Sequence, residues 1–188
     1  MKTTIDDTYQ LLKHDDLMKA VAYLEKAPVI YIIAITDISG IAYDFMYKMR
    51  YLKKKVEICN NPEDFYHIVN IMNEDDCIIF ISYSGETFHL FDIQLNDFQC
   101  QNRIAISSIG HNSLNDYCQC HLSISTREKL SSKIASYVSN QSVYYILNIL
   151  FSCLFLKDFD HNYKMKLDIS KQIDFNRKSS TEMISEEK

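Results

Sequence analysis

The chain has 188 residues, 47% hydrophobic and 24% charged, enough for one domain with a substantial core and too few for two ordinary ones. Its formal net charge is -5, which excludes an overall basic field that would draw it to nucleic acid or anionic lipid. MKTTIDDTYQLLKHDD at the N-terminus lacks an apolar signal core, and the most apolar helical run, VYYILNILFSCLFL at 143–156, falls short of the ~20 residues that cross a bilayer.

Taken in chain order, residues 8–27 space Leu11, Leu12, Met18, Val21 and Leu24 as a helix face or two short helices. Pro28 ends that pattern, and VIYIIAIT (29–36) is a β-branched run of buried-strand type. An amphipathic helix is expected over 40–54, its basic end YKMRYLKKK a solvated terminus rather than a binding patch, with a short strand over 55–59. Asn61 and Pro62 signal the start of a helix over 61–73. Strands follow at 77–82, 103–108 and 120–125, helices at 86–99 and 131–157, and a short helix or turn at NSLNDYC. Strands alternating with helices imply a parallel sheet covered on both faces, whose ligands bind beyond the carboxyl ends of the strands. The loops after Thr36, Ser82 and Ser107 occupy that edge.

The six cysteines read as reduced, cytosolic thiols. Cys118 and Cys120, with His111 and His121 nearby, were they to share a strand face, would offer two thiolates to one ion. Without a second ligand pair that spacing is weak, and no metal is expected.

The segment ISYSGET (81–87) places Ser82, Ser84 and Thr87 around Gly85, which lets the backbone turn close to a ligand. With a helix starting near Glu86, its free amides and dipole would suit a phosphate. A turn with a hydroxyl cap explains the same residues more simply.

ISYSGET resembles the S-x-S-G-x-T signature of the SIS (sugar isomerase) domain. The likeness extends to KAPVIYIIAITDISGIAYDF (26–45), RIAISSIGHNSLNDYCQCHLSIS (103–125) and SSKIASYVSNQSVYYILNILF (131–151), the last similar to RpiR-type transcriptional regulators. The resemblance implies a three-layer α/β/α sandwich on a five-stranded parallel sheet, usually dimeric. It divides the chain into an N-terminal helical segment (1–27), the SIS phosphosugar-binding domain (28–168) and a polar tail (169–188). Ser82, Ser84 and Thr87 match the phosphate-holding positions, with Gly85 in the turn and a backbone donor at Tyr83. No cofactor is implied.

RpiR-type regulators carry a helix-turn-helix domain ahead of the SIS domain, whereas only the helical stretch at 4–27 precedes the SIS-like region here. Direct nucleic-acid binding by this chain alone is therefore not expected. The family's first loop reads G-x-G-x-S; here Ala34-Ile35-Thr36-Asp37-Ile38 stands in register. Both glycines are replaced, Ser39 follows one residue late, and Asp37 adds a charge that repels phosphate. Thr36 and Ser39 are retained as binding candidates, and Asp37 reads as a helix N-cap.

Three functions follow from the resemblance. The first is a cytoplasmic, homodimeric sensor of a phosphorylated sugar or amino-sugar, the effector module of an RpiR-type regulator of sugar metabolism. The second is an isomerase or lyase, for which Glu128 is the candidate base and Glu86, His89 and His111 lesser ones. The third is a dimerisation module with a decayed ligand site. The apolar helix at 131–157 is the expected interface element.

Overall fold

The computed structural model describes residues 2–91, 94–132 and 135–173. Five parallel strands form one sheet: β1 (Val29–Ala34), β2 (Lys55–Cys59), β3 (Cys77–Ile81), β4 (Asn102–Ser108) and β5 (Cys120–Ile124), in the order β2-β1-β3-β4-β5. All four pairings are parallel, with Ala34 opposite Ile81 and Ile81 opposite Ile106. Seven α-helices accompany them among the described residues: α1 (Lys2–Leu11), α2 (His14–Lys26), α3 (Ser39–Met49), α4 (Pro62–Ile71), α5 (Ser113–Tyr117), α6 (Tyr137–Leu156) and α7 (Phe159–Ile173).

Strand alternation divides the core into two layers. Ile30, Ile32, Cys77, Ile79, Ile104 and Ile106 join side chains of α2, α3 and α6 on one face. Tyr31, Ile33, Ile78, Phe80 and Ala105 meet α4, α5 and the 82–100 segment on the other. With every β3 residue buried, the central strands read as continuous apolar runs, as a sheet covered on both faces requires. Asn61 accepts the Asp64 amide at 2.9 Å and Pro62 opens α4, as their order in the sequence implied.

Two expectations are corrected. No α-helix spans 86–99: its described residues form 3-10 turns at Thr87–Phe91 and Leu95–Asp97. Phe98 enters the core edge-on to Phe65 (5.0 Å) and Phe80 (5.3 Å). Arg103 donates to the carbonyls of Phe98 and Cys100 at 3.2 and 2.8 Å. Aromatic anchoring of Phe98 and a guanidinium on the carbonyls at the segment's end hold the chain in this course. Second, α6 begins at Tyr137 rather than 131. Of the tail expected from 169, residues 169–173 continue α7, and 174–188 lie outside the described residues.

Cys118 and Cys120 do not share a face. Cys118 caps the end of α5 and packs in one core layer while Cys120 packs in the other. Burial pushes the Cys120 thiol up to about 12, so it stays a protonated, apolar side chain.

Candidate functional site

From β1 the chain crosses to β2 on one side; from β3 it crosses to β4 on the other. That reversal opens a crevice beyond the carboxyl ends of β1 and β3. Because Ala34 and Ile81 are register partners, the loops 35–39 and 82–87 leave the sheet side by side.

The second of these loops closes on itself. Ser82, only 5% exposed, accepts the amides of Gly85 (3.0 Å) and Thr87 (3.3 Å) on Oγ and shares a 2.7 Å bond with the Thr87 hydroxyl. Ser84 Oγ accepts the Glu86 amide at 3.1 Å. These hydroxyls satisfy the amides that sequence analysis assigned to a helix N-terminus, and the 3-10 turn that follows supplies no long helix dipole. Binding an anion here requires the hydroxyls to exchange internal bonds for ligand bonds. Beneath the loop, between Ile35, Ser82, Thr87 and Leu114, a cavity of about 10 Å³ remains, room for one water at most. A larger open hollow of about 370 Å³ lies on α4 at Glu63, Tyr66, His67 and Asn70, and shares no residue with the crevice loops.

Gly85 is required on two counts. Its φ is +76°, and a Cβ would lie 2.2 Å from Asn112 Cγ. Asn112 is buried, donates to Ser107 Oγ at 3.3 Å, and faces the Gly85 backbone. Next to it, Ser113 donates its amide (2.7 Å) and hydroxyl (2.6 Å) to the two oxygens of Glu86. Burial raises the Glu86 carboxyl, but the Ser113 bonds and the neighbouring His89 outweigh it and hold it below the usual carboxylate range. Glu86 is thus a tie between the loops after β3 and β4 rather than a helix first-turn acid. Asn112 and Ser113 read as turn chemistry in sequence, since no local pattern announces a partner 27 residues away.

In the first loop, Thr36 takes φ +71°, left-handed backbone at the second glycine position of the SIS pattern. Ser39 Oγ donates to the Thr36 carbonyl at 2.8 Å, which fixes the turn. Asp37 does not cap α3. The residue before that helix is Ile38, which makes no side-chain cap bond. Asp37 instead accepts the Asn140 amide and the Thr36 hydroxyl, each at 3.0 Å. Burial pushes its carboxyl up, yet these bonds and one from Ser136 prevail and leave it lowered. Asn140, on α6, was not singled out from the sequence.

The remaining candidates are dispersed. Glu128 accepts the amides of Val138 (2.9 Å) and Ser139 (3.0 Å) and the Ser139 hydroxyl (2.8 Å), so its carboxylate caps α6 across a loop. The Tyr83 hydroxyl donates to the Glu128 carbonyl. His89 is exposed and lies 3.1 Å from Glu86; His111, at a loop tip, lies 3.6 Å from Asp116. A continuous rim results. Tyr83 in the β3 loop holds Glu128, Glu128 holds the start of α6, and Asn140 of α6 holds Asp37 in the β1 loop.

A five-stranded parallel α/β/α domain with a hydroxyl-rich loop after its third strand defines a class of proteins built around such a crevice. A match to the SIS domain family covers residues 23–152; the chain belongs to the SIS domain family. Solved structures with the same fold include the Vibrio vulnificus NanR protein complexed with ManNAc-6P (TM-score 0.76, 15% identity, 94% of this chain and 67% of that one). They also include the sugar isomerase domain of an RpiR transcription factor from Sphaerobacter thermophilus (0.70, 9%, 90% and 93%). The C-terminal domain of glucosamine-fructose-6-phosphate aminotransferase from Francisella tularensis is similar as well (0.64, 16%, 92% and 55%). No curated protein matches the sequence. Among the described residues no single helix is long and apolar enough to cross a membrane.

Proposed function

We propose that this SIS domain binds a phosphorylated sugar or amino-sugar in the crevice between the β1 and β3 loops. In this reading it acts as the cytoplasmic effector-sensing and dimerisation module of an RpiR-type regulator. Ser82, Ser84, Gly85 and Thr87, with a backbone donor at Tyr83, form the phosphate side; Thr36 and Ser39 form the opposing loop. The observation that carries the reading is the cluster of three hydroxyls at the reversal point of the sheet, 5% exposed at Ser82 and opening outward through Ser84. Sensing is favoured over turnover because the Glu128 carboxylate is engaged by three hydrogen bonds in capping α6, a structural task that competes with taking a substrate proton.

A second reading, assembly without a ligand, draws on Asp37 and on the internal pairing of Ser82 with Thr87. Thermal unfolding against hexose, hexosamine and pentose phosphates, with inorganic phosphate as control, separates the two. At 100 times its Kd a ligand stabilises by about 2.7 kcal/mol, several degrees for a domain of this size. We expect that shift with one phosphosugar, and its loss in Ser84→Ala. A dimer whose Tm ignores the whole panel leaves assembly as the function.

A further inference from the structure

We infer that the loop after β3 is a self-closed latch: the Glu86–Ser113 tie keeps Gly85 and Thr87 folded onto Ser82, and a phosphate group gains these donors only when that tie opens. This inference rests on the phosphosugar-binding reading above and concerns the regulation of that site. Three observations carry it.

First, the donors that would hold a phosphate are taken up by the loop itself. The Gly85 amide is shared between the Ser82 carbonyl (3.2 Å) and Ser82 Oγ (3.0 Å). The Thr87 amide and hydroxyl both meet Ser82 Oγ, and the Glu86 amide meets Ser84 Oγ. The space enclosed beneath the loop is about 10 Å³, which one water fills and a phosphate group does not fit. The loop is therefore in a state that excludes its ligand.

Second, the loop has a fixed half and a movable half. Ser82 and Tyr83 prolong the sheet: the Ser82 amide donates to the Ile106 carbonyl and the Ser108 amide to the Tyr83 carbonyl, each at 3.1 Å. Beyond them the ties to the rest of the fold are few. Among the described residues, the hydrogen bonds that leave Ser84–Thr87 for another element are the two from Ser113 to the Glu86 carboxylate. Gly85, at φ +76°, joins the two halves with the backbone freedom that a hinge uses.

Third, closure leaves a polar group unpaired. The Asn112 Oδ1 lies 2.2 Å from where a Gly85 Cβ would sit, is buried, and has no donor. A buried acceptor without a partner works against the state that contains it, and opening the loop gives it to water. The Glu86 carboxylate offsets that cost through bonds of 2.7 and 2.6 Å, and bonds to an ionised group are roughly twice as strong as neutral ones. The loop's own amide–hydroxyl bonds are longer, at 3.0, 3.1 and 3.3 Å. The tie to Ser113 thus decides between the closed and open loop.

Amide hydrogen exchange and titration calorimetry of the full chain, unaltered and as Glu86→Ala and Ser113→Ala, test the latch. While the open loop is the minor state, apparent affinity rises in proportion to its population. Glu86→Ala is expected to lower protection of the Gly85 and Thr87 amides at least about tenfold relative to amides of β3 and β4, and to tighten binding of the responding member of the phosphosugar panel above by the same factor. Ser113→Ala, which keeps the backbone bond to Glu86, should move both readouts in the same direction by less. The unliganded Tm of each variant reports that it is folded. A residue with a merely structural role would weaken binding when removed, the opposite sign. Unchanged protection of Gly85 and Thr87 in both variants, or lowered protection with no gain in affinity for a phosphosugar that does bind, overturns the latch and leaves the phosphosugar reading standing. Failure of the whole panel to bind the unaltered chain and both variants overturns that reading and this inference with it.

Discussion

Thr36 and Gly85 share a left-handed backbone, at φ +71° and +76°, but their surroundings differ. Gly85 has a neighbour where its Cβ would go; Thr36 carries a β-branched side chain in a region that costs an L-residue roughly 1–2 kcal/mol. Removing that side chain releases the strain but adds unfolded-state freedom, which costs about 0.5–1 kcal/mol. The first term is the larger, so Thr36→Gly is expected to raise Tm by a few degrees. Gly85→Ala should lower it, because the new methyl would sit 2.2 Å from Asn112 Cγ on backbone that alanine disfavours. Differential scanning calorimetry of both variants checks the opposite signs; a Tm drop in Thr36→Gly would mean that the side chain's bond to Asp37 outweighs the strain.

At the scale of elements, α6 depends on a cap far back in the sequence. Ser136 precedes it with no side-chain cap bond, and Glu128 supplies the acceptors instead. Glu128→Ala is expected to cost about 1–2 kcal/mol, by analogy with the loss of a helix cap, or roughly 2–8 °C in a chain of this length. Glu128→Gln, which keeps a carbonyl acceptor, should cost less, and unfolding midpoints in urea separate the two. A Gln variant as unstable as the Ala variant would assign the effect to charge rather than capping. Such long-range ties mark where the sequence stops being legible. The five strands and their order of appearance were readable because VIYIIA and CIIFI are apolar on both faces and bounded by turn residues. The spacing of Leu and Phe that suggested a helix over 86–99 carries no record of the distant partners that fix the segment, Phe65 and Phe80 around Phe98 and Arg103 on the carbonyls at its end. The ISYSGET hydroxyls were visible as a motif. Their internal pairing, and the partners Asn112, Ser113 and Asn140, were not, since each depends on which loops the sheet brings together.

For the molecule as a whole, Asp7, Asp37 and Glu86 are three of the carboxylates that tie the carboxyl-edge loops to other elements, through Arg127, Asn140 and Ser113. Each has a lowered folded-state pKa. For Asp7 the Arg127 hydrogen bond is the leading cause. For the other two, hydrogen bonds overcome an upward push from burial. A depressed folded value means that the stabilisation is complete above the unfolded pKa, about 4, and is lost as pH falls through the folded value. Acidification below about pH 4 is therefore expected to loosen the loop rim while the apolar strands hold. Hydrogen exchange should show the amide of Ser113, which Glu86 accepts, losing relative protection ahead of those in β1 and β3. Uniform loss across the sheet and rim would instead indicate global acid unfolding.

One helix joins this rim to the far side of the domain. α6 has 20 residues and is therefore a rod of about 30 Å. Asn140 ties its first turns to the crevice, while Lys157, just beyond its last, pairs with Glu25. There the chain turns through 106° into α7, which packs near the Arg50–Leu52 turn. Such a rod has leverage: a pivot of about 5° at the crevice would sweep the far end of a ~30 Å helix through about 2.6 Å, more than half the spacing between neighbouring strands. A change in how Asp37 grips Asn140 would thus be small where it begins and large enough to alter side-chain packing where α7 starts.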